Sequence, residues 1–216
     1  MTALHDGLDE LAARARELAA TGERQMLGIV GPPGSGKSTL ARQVVEAVGA
    51  NAMVVPMDGF HLAQCQLERL GRTDRKGAID TFDAGGFARL MQRLHRADED
   101  VVYAPAFHRE IEEPIAASIA VPRDIPLVVV EGNYLLVDHE PWAGIRQMLT
   151  DCWYVELDED TRLDRLIARH MEFGRDPASA HEHAHGSDQQ NAKLIATTKR
   201  RADRVIDVGG WPTPPA

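Results

Sequence analysis

The eight residues GPPGSGKS, Gly31 to Ser38, decide the fold. They fit the pattern GxxxxGK[ST], and the flanks supply the context that pattern requires. An apolar run, Met26 to Val30, leads in, and a stretch with helical spacing, Lys37 to Val48, leads out. Glycines let the backbone close its N–H groups around phosphate oxygens, and a helix N-terminus adds a favourable dipole. Gly31, Gly34, Ser35 and Gly36 would form that cradle, with Ser38 and Thr39 opening the helix. Lys37 would neutralise the β and γ phosphates and Ser38 would hold Mg2+. The expected ligands are ATP and Mg2+.

On both sides of this loop, short apolar runs alternate with helical patterns. A strand ends before Asp58, a helix near Gly86 to Arg96 carries Phe87, Leu90, Met91 and Leu94 on one face, and VVYAP (101–105) and Ile115 to Val121 read as short strands. IPLVVV (125–130) is the strongest strand; CWYVEL (152–157) leads into a helix from Asp160 to about Met171, and RVIDV (204–208) closes the order. Ser187 to Gln190 has capping-box spacing and could start another helix. Such alternation, with strands apolar on both faces, points to an α/β fold with a mostly parallel central sheet flanked by helices.

Composition narrows the class. A chain of 216 residues, 44% hydrophobic, can bury one sizeable core, so a single domain over residues 1–216 is expected. The formal charge of −9 argues against a nucleic-acid partner, which calls for a basic surface to displace counterions. No apolar run approaches the roughly 20 residues that span a bilayer, so no membrane partner is expected. The stretch TALHDGLDELAARARELAA is acidic at its start and puts Leu4, Leu8, Leu11 and Leu18 at helical spacing, unlike a signal peptide. Cys65 and Cys152 match no CxxC or zinc pattern, which suggests a reducing compartment and two buried thiols. The expectation is a cytoplasmic protein acting on a small molecule, with a homodimer as the candidate assembly. GGWPTPPA (209–216) reads as a flexible tail.

A phosphate loop defines a nucleotide and not a reaction. No NKxD pattern supports guanine recognition, and DAGG (83–86), which fits DxxG, follows no apolar strand. Without a second domain a mechanical ATPase has little to move, so a small-molecule kinase fits best. In VVPMDGFHL (54–62) an apolar strand stops at Asp58, which could be a turn residue, a metal ligand or a catalytic base. A phosphoryl-accepting hydroxyl must be held in line with the γ phosphate, and a carboxylate beside it can take its proton. Ligands of open α/β sheets bind beyond the carboxyl ends of strands, where Asp58 lies. These points favour the base role.

MDGFH (57–61), RKGAIDTFD (75–83), YAPAFHRE (103–110), VVVEGNYLL (128–136) and RLIARHMEFG (165–174), in this order behind the phosphate loop, resemble the phosphoribulokinase, uridine kinase and pantothenate kinase family. The DGF, KGxxxxxD and EGxxxL elements are most similar to the pantothenate kinase branch. HREIEEP and GSDQQNAKLI resemble bacterial kinases labelled as nucleoside or fructose-transport kinases. The blocks run from Gly28 to about Ile195. The resemblance implies a P-loop NTPase fold with a lid at about 162–187. It implies transfer of the γ-phosphoryl group of Mg-ATP to a hydroxyl of a nucleoside, sugar or pantothenate-like alcohol. Asp58 then corresponds to the substrate-activating carboxylate, and Glu131 to a partner of Mg2+ or its waters. Glu131 closes a buried run, Val128 to Val130, whose end would face the phosphate loop. Lys76, His108 and Arg109 fall where relatives place groups near the acceptor, and PAFHRE here departs from the PxYS or PxYD of relatives. Arg165 and Arg169, four apart on one helical face, correspond to lid arginines that stabilise the migrating phosphoryl group, with Arg175 a further candidate.

His61 follows Asp58 by three residues and could touch the substrate. The segment DPASAHEHAHGSD (176–188) reads as the polar lid loop; within it His181 to His185 fits HExxH, with no clear third ligand following. Two other readings stay open: a nucleoside monophosphate kinase, whose acceptor needs no base, and an ATP-binding regulator without acceptor.

Overall fold

The computed structural model describes residues 7–211. Helix α1 (Leu8–Ala19) is followed by strand β1 (Gln25–Val30), α2 (Lys37–Val48), β2 (Ala52–Pro56), α3 (Gln64–Leu70) and α4 (Ala84–Arg96). Then come β3 (Val101–His108), β4 (Glu113–Pro122), β5 (Leu127–Gly132), β6 (Asp151–Glu156), α5 (Glu159–Glu172), α6 (Pro177–His183), α7 (Gln189–Ala196) and β7 (Arg204–Asp207). Five strands form a parallel sheet in the order β2-β5-β1-β6-β7.

Alternation along each central strand sorts side chains between two cores. Met26, Val30, Val128, Val130, Cys152 and Tyr154 pack with Phe87, Leu90, Met91 and Leu94 of α4. Leu27, Ile29, Leu127, Val129, Trp153 and Val155 pack with Leu11 and Leu18 of α1 and Leu40 and Val44 of α2. Burial on both faces is what makes these strands read as continuous apolar runs.

Register brings three strand ends level. Glu131 on β5 is paired with Ile29 on β1 and with Pro56 on β2. Gly31 and Asp58 therefore each start two residues beyond the same line, next to Glu131.

Strands β3 and β4, outside this sheet, pair antiparallel as a hairpin with a register shift between Ala104 and Ala106. The DAGG stretch is a helix start: Asp83 caps α4 by accepting from the Gly86 N–H at 2.8 Å. Residues 173–176 apart, the expected lid at 162–187 is helical, which corrects the polar loop expected at 176–188. Asp176 accepts from the N–H groups of Ala178 and Ser179, Pro177 occupies the first turn, and Ala184 packs on Leu163 and Leu166. Ser187 starts no helix, since it lies inside a π-helical turn, Ala184–Asp188, that runs on into α7. Cys152 is buried, but Cys65 is exposed, because the short α3 turns only Leu67 inward. Leu4 and residues 212–216 of the expected tail lie outside the described residues; Trp211 packs partly buried against the second core. No helix among the described residues is long and apolar enough to cross a membrane.

Candidate active site

The phosphate loop joins β1 to α2. Gly36 adopts φ 91°, a left-handed conformation that lets the chain turn its amides inward before entering the helix. Gly31 packs against the Ser35 side chain, whose hydroxyl is fully buried and has no protein partner. An orphaned buried hydroxyl within a glycine-rich loop that opens a helix fits a phosphate-binding cradle. Gly34, Gly36, Lys37, Ser38 and Thr39 line a groove of about 860 Å³. Arg165 and Arg169 of α5 and Glu131 border the same groove, and a side chain at Gly36 would stand 3.8 Å from Arg165 Nη1. Arg162, beside them on α5, is buried and donates to the Pro33 carbonyl at 3.3 Å, fixing α5 to the loop.

A second cavity, about 420 Å³, lies on the other side of Asp58 and is lined by His61, Gln64, Lys76, Phe107, Asn133 and Asp188 among others. Lys37, Asp58, Phe107, Arg109 and Arg169 border both spaces. A group bound in the groove and one bound in the cavity would thus meet at Asp58.

Asp58 is held there by the turn that Gly59 permits: a Cβ at Gly59 would collide with the Pro105 carbonyl oxygen of β3. The hairpin consequently sits directly on the DGF turn. His61 packs between the rings of Phe82 and Phe107, with centroids 4.1 and 4.7 Å away. Its Nδ1 donates to the Asp58 carbonyl at 2.7 Å, an assignment that leaves Nε2 as an acceptor. Lys76 lies 5.3 Å from the Phe107 ring centroid and donates to the Glu112 carbonyl. The neighbouring Gly77 carbonyl accepts from Tyr134 Oη at 2.7 Å and Asn191 Nδ2 at 3.3 Å, which anchors this loop to α7 and to the segment that follows β5.

The charges at the junction are interdependent. Burial pushes the Asp58 pKa up, but His61, Lys37, Arg109 and Arg169 pull it down and prevail. Burial also lowers the His61 pKa, so that ring is neutral at pH 7 and the holding is done by Lys37, Arg109 and Arg169. Glu131 responds in the opposite direction: burial, then the nearby Asp58, push its pKa to about 6 against the pull of Lys37 and Ser38. Burial lowers the pKa of Lys37 as well. Ser38 and Glu131, one hydroxyl and one carboxylate at adjacent strand and helix ends, suit the hard oxygen coordination of Mg2+.

Of the site residues singled out in the sequence, Gly31, Ser35 and His108 line neither space: Gly31 and Ser35 are buried against each other inside the loop, and the His108 side chain is half exposed, 4.0 Å from Glu110. Phe107, Phe173, Asn133 and Asp188, which line the cavity, were not singled out, and neither was Trp211, which borders the groove. Asn133 had a signal: it is polar, directly follows a buried strand and belongs to the block VVVEGNYLL. Its Oδ1 is buried without a protein partner.

The chain matches the model of the phosphoribulokinase / uridine kinase family over residues 26–211. It is 33% identical over 175 residues to a proposed uridine kinase of Schizosaccharomyces pombe, covering 77% of this chain and 74% of that one. An ATP-dependent kinase-like protein from Aspergillus versicolor is 32% identical over 164 residues, 72% of this chain and 95% of its own. The crystal structure of a proposed fructose transport system kinase from Silicibacter sp. TM1040 superposes with a TM-score of 0.81 at 34% identity, covering 94% and 98% of the two chains.

Proposed function

From the premise that the chain belongs to the phosphoribulokinase / uridine kinase family and is an ATP-dependent kinase, we propose that it transfers the γ-phosphoryl group of Mg-ATP to a hydroxyl of a small polar metabolite. A nucleoside, a sugar or a pantothenate-like alcohol is the acceptor class. The observation that carries this reading is Asp58 at the meeting point of the two spaces, with Lys37, Arg109 and Arg169 around it.

The triphosphate occupies the groove and the acceptor the cavity. Asp58 orients the acceptor hydroxyl and accepts its proton as the oxygen bonds to the γ phosphorus. The bond from phosphorus to the bridging oxygen breaks, and ADP leaves with that oxygen. Lys37, Arg165 and Arg169 offset the negative charge on the phosphoryl oxygens throughout. Ser38 and Glu131 would hold Mg2+, which when bound offsets charge on the β and γ oxygens. His61, Lys76 and Arg109 orient the acceptor, and the helices from α5 to α7 act as the lid.

A panel of nucleosides, sugars, pantothenate and nucleoside monophosphates, assayed for ADP release, tests the reading. One hydroxyl acceptor should accelerate release severalfold or more over ATP alone. Release indifferent to every acceptor would leave an ATP-binding regulator instead, and acceleration by monophosphates alone would make the acceptor a phosphate.

A further inference from the structure

Three residues at the back of the acceptor cavity are not used by the phosphoryl-transfer chemistry. His170 on α5, His183 at the end of α6 and Asp188 at the end of the π-helical turn each present a ligand atom, all within 4.8 Å of one another. His170 Nε2 lies 2.7 Å from Asp188 Oδ2, and the two imidazole rings meet edge to face at 4.9 Å. The side chains of His170 and Asp188 are 15% and 10% exposed, and all three residues line the cavity.

The local backbone explains how they meet. On an α-helix, positions five apart point about 140° away from each other. A π turn bonds position i to i+5 and stacks them, so Ala184–Asp188 carries Asp188 round to the side of His183. Leu163, Leu166 and Ala184 pack together behind the cluster and set the spacing of α5 from α6. Single π turns inside helices recur at functional sites.

We propose that His170, His183 and Asp188 form a binding site for a divalent transition cation of the zinc class, separate from the nucleotide's Mg2+. Two imidazoles and one carboxylate suit Zn2+, Co2+ or Ni2+, whereas Mg2+ takes oxygen donors. Arg169 and Arg175 share the cavity, so the site selects its cation through donor bonds and not through net negative charge. Three protein ligands leave a tetrahedral position that faces the cavity, where water or an acceptor oxygen completes the shell. The cation would also tie α5 to the α6–π–α7 run. The HExxH pair is a different set: His181 and His185 stack on each other at 4.1 Å, apart from the cluster.

Untagged, chelator-treated full-length protein titrated with Zn2+ against a chromophoric chelator, without nucleotide, tests the site independently of any kinase assay. The expected result is one equivalent bound and a rise in Tm with Zn2+. His183→Ala should weaken binding at least tenfold, while the His181→Ala/His185→Ala double variant keeps the full equivalent. Co2+ in place of Zn2+ should give visible absorption bands that His183→Ala abolishes. A wild-type protein that takes up no stoichiometric Zn2+, or uptake lost in the double variant and kept in His183→Ala, would overturn the proposal.

Discussion

Arg109 Nη2 lies 3.5 Å from Asp58 Oδ2, while its guanidinium carbon stands 5.8 and 5.7 Å from the ring centroids of Phe107 and Phe173. The hairpin, the DGF turn and the end of α5 therefore converge on one side chain. Held among these partners, Asp58 stays charged near neutral pH, as a base must. Asp58→Asn keeps the shape and loses the proton-accepting capacity, so kcat should fall by ~10²- to 10⁴-fold. ATP affinity should not fall, since the cations that Asp58 gives up remain for the phosphates, and Tm should drop modestly, because the lowered pKa of Asp58 marks its charge as stabilising at neutral pH. Near-normal kcat would return Asp58 to a turn role, and a loss cured by added Mg2+ would make it a metal ligand.

Lys37→Ala should nearly abolish turnover while leaving the fold intact. Burial already disfavours the charged ammonium in the ligand-free protein, so removing it costs no stability. Thermal denaturation should give an unchanged or slightly higher Tm, and undiminished turnover would remove the phosphate loop from the mechanism.

Glu131 yields a pH prediction. Its folded pKa, raised from 4.5 to about 6, means the native state binds more protons than the unfolded chain between those values. Stability contributed by this group falls as pH rises through that window, by ~2 kcal/mol in all. Glu131→Gln removes the dependence, so at pH 7 the variant should be the more stable protein and need more Mg2+ for activity. Paired Tm-against-pH curves read the difference; parallel curves would contradict it.

Gly59→Ala should destabilise the protein by ~1–3 kcal/mol, since a Cβ there must push the Pro105 backbone away. The hairpin would shift with it, carrying Phe107 and Arg109, so kcat should drop as well. Urea unfolding and steady-state kinetics on the same sample check both; an unchanged urea midpoint would show that the hairpin is not seated as described.

The phosphate loop and the bounds of α2 were legible because the loop follows the buried strand β1, and Asp58 and Glu131 stood out because each ends an apolar run with an abrupt change of residue type. The β3–β4 pairing was not, because a register shift at Ala104/Ala106 and left-handed conformations at Glu112 and Ala117 break the alternation that identifies a hairpin. His108 and Arg109 were inseparable in sequence. Successive residues of an extended chain face opposite ways, so Phe107 and Arg109 line the cavity and His108 does not. Helix α6 was hidden by its polar composition, although an Asp-Pro start and alanines four apart at 180 and 184 are a helix signal.

The walls common to groove and cavity carry a thermodynamic consequence. Lys37, Arg109 and Arg169 hold Asp58 below its ordinary carboxylate range only while no other anion competes for them. In the proposed mechanism a triphosphate would claim part of that attraction, and its arrival would make Asp58 a stronger proton acceptor at the moment when a hydroxyl is to be activated. Occupancy of one side thus alters the free energy of binding on the other, and reciprocity requires the acceptor to change nucleotide affinity by the same factor. The two substrates should bind with synergy, larger for ATP than for ADP, with the extra γ charge as its source.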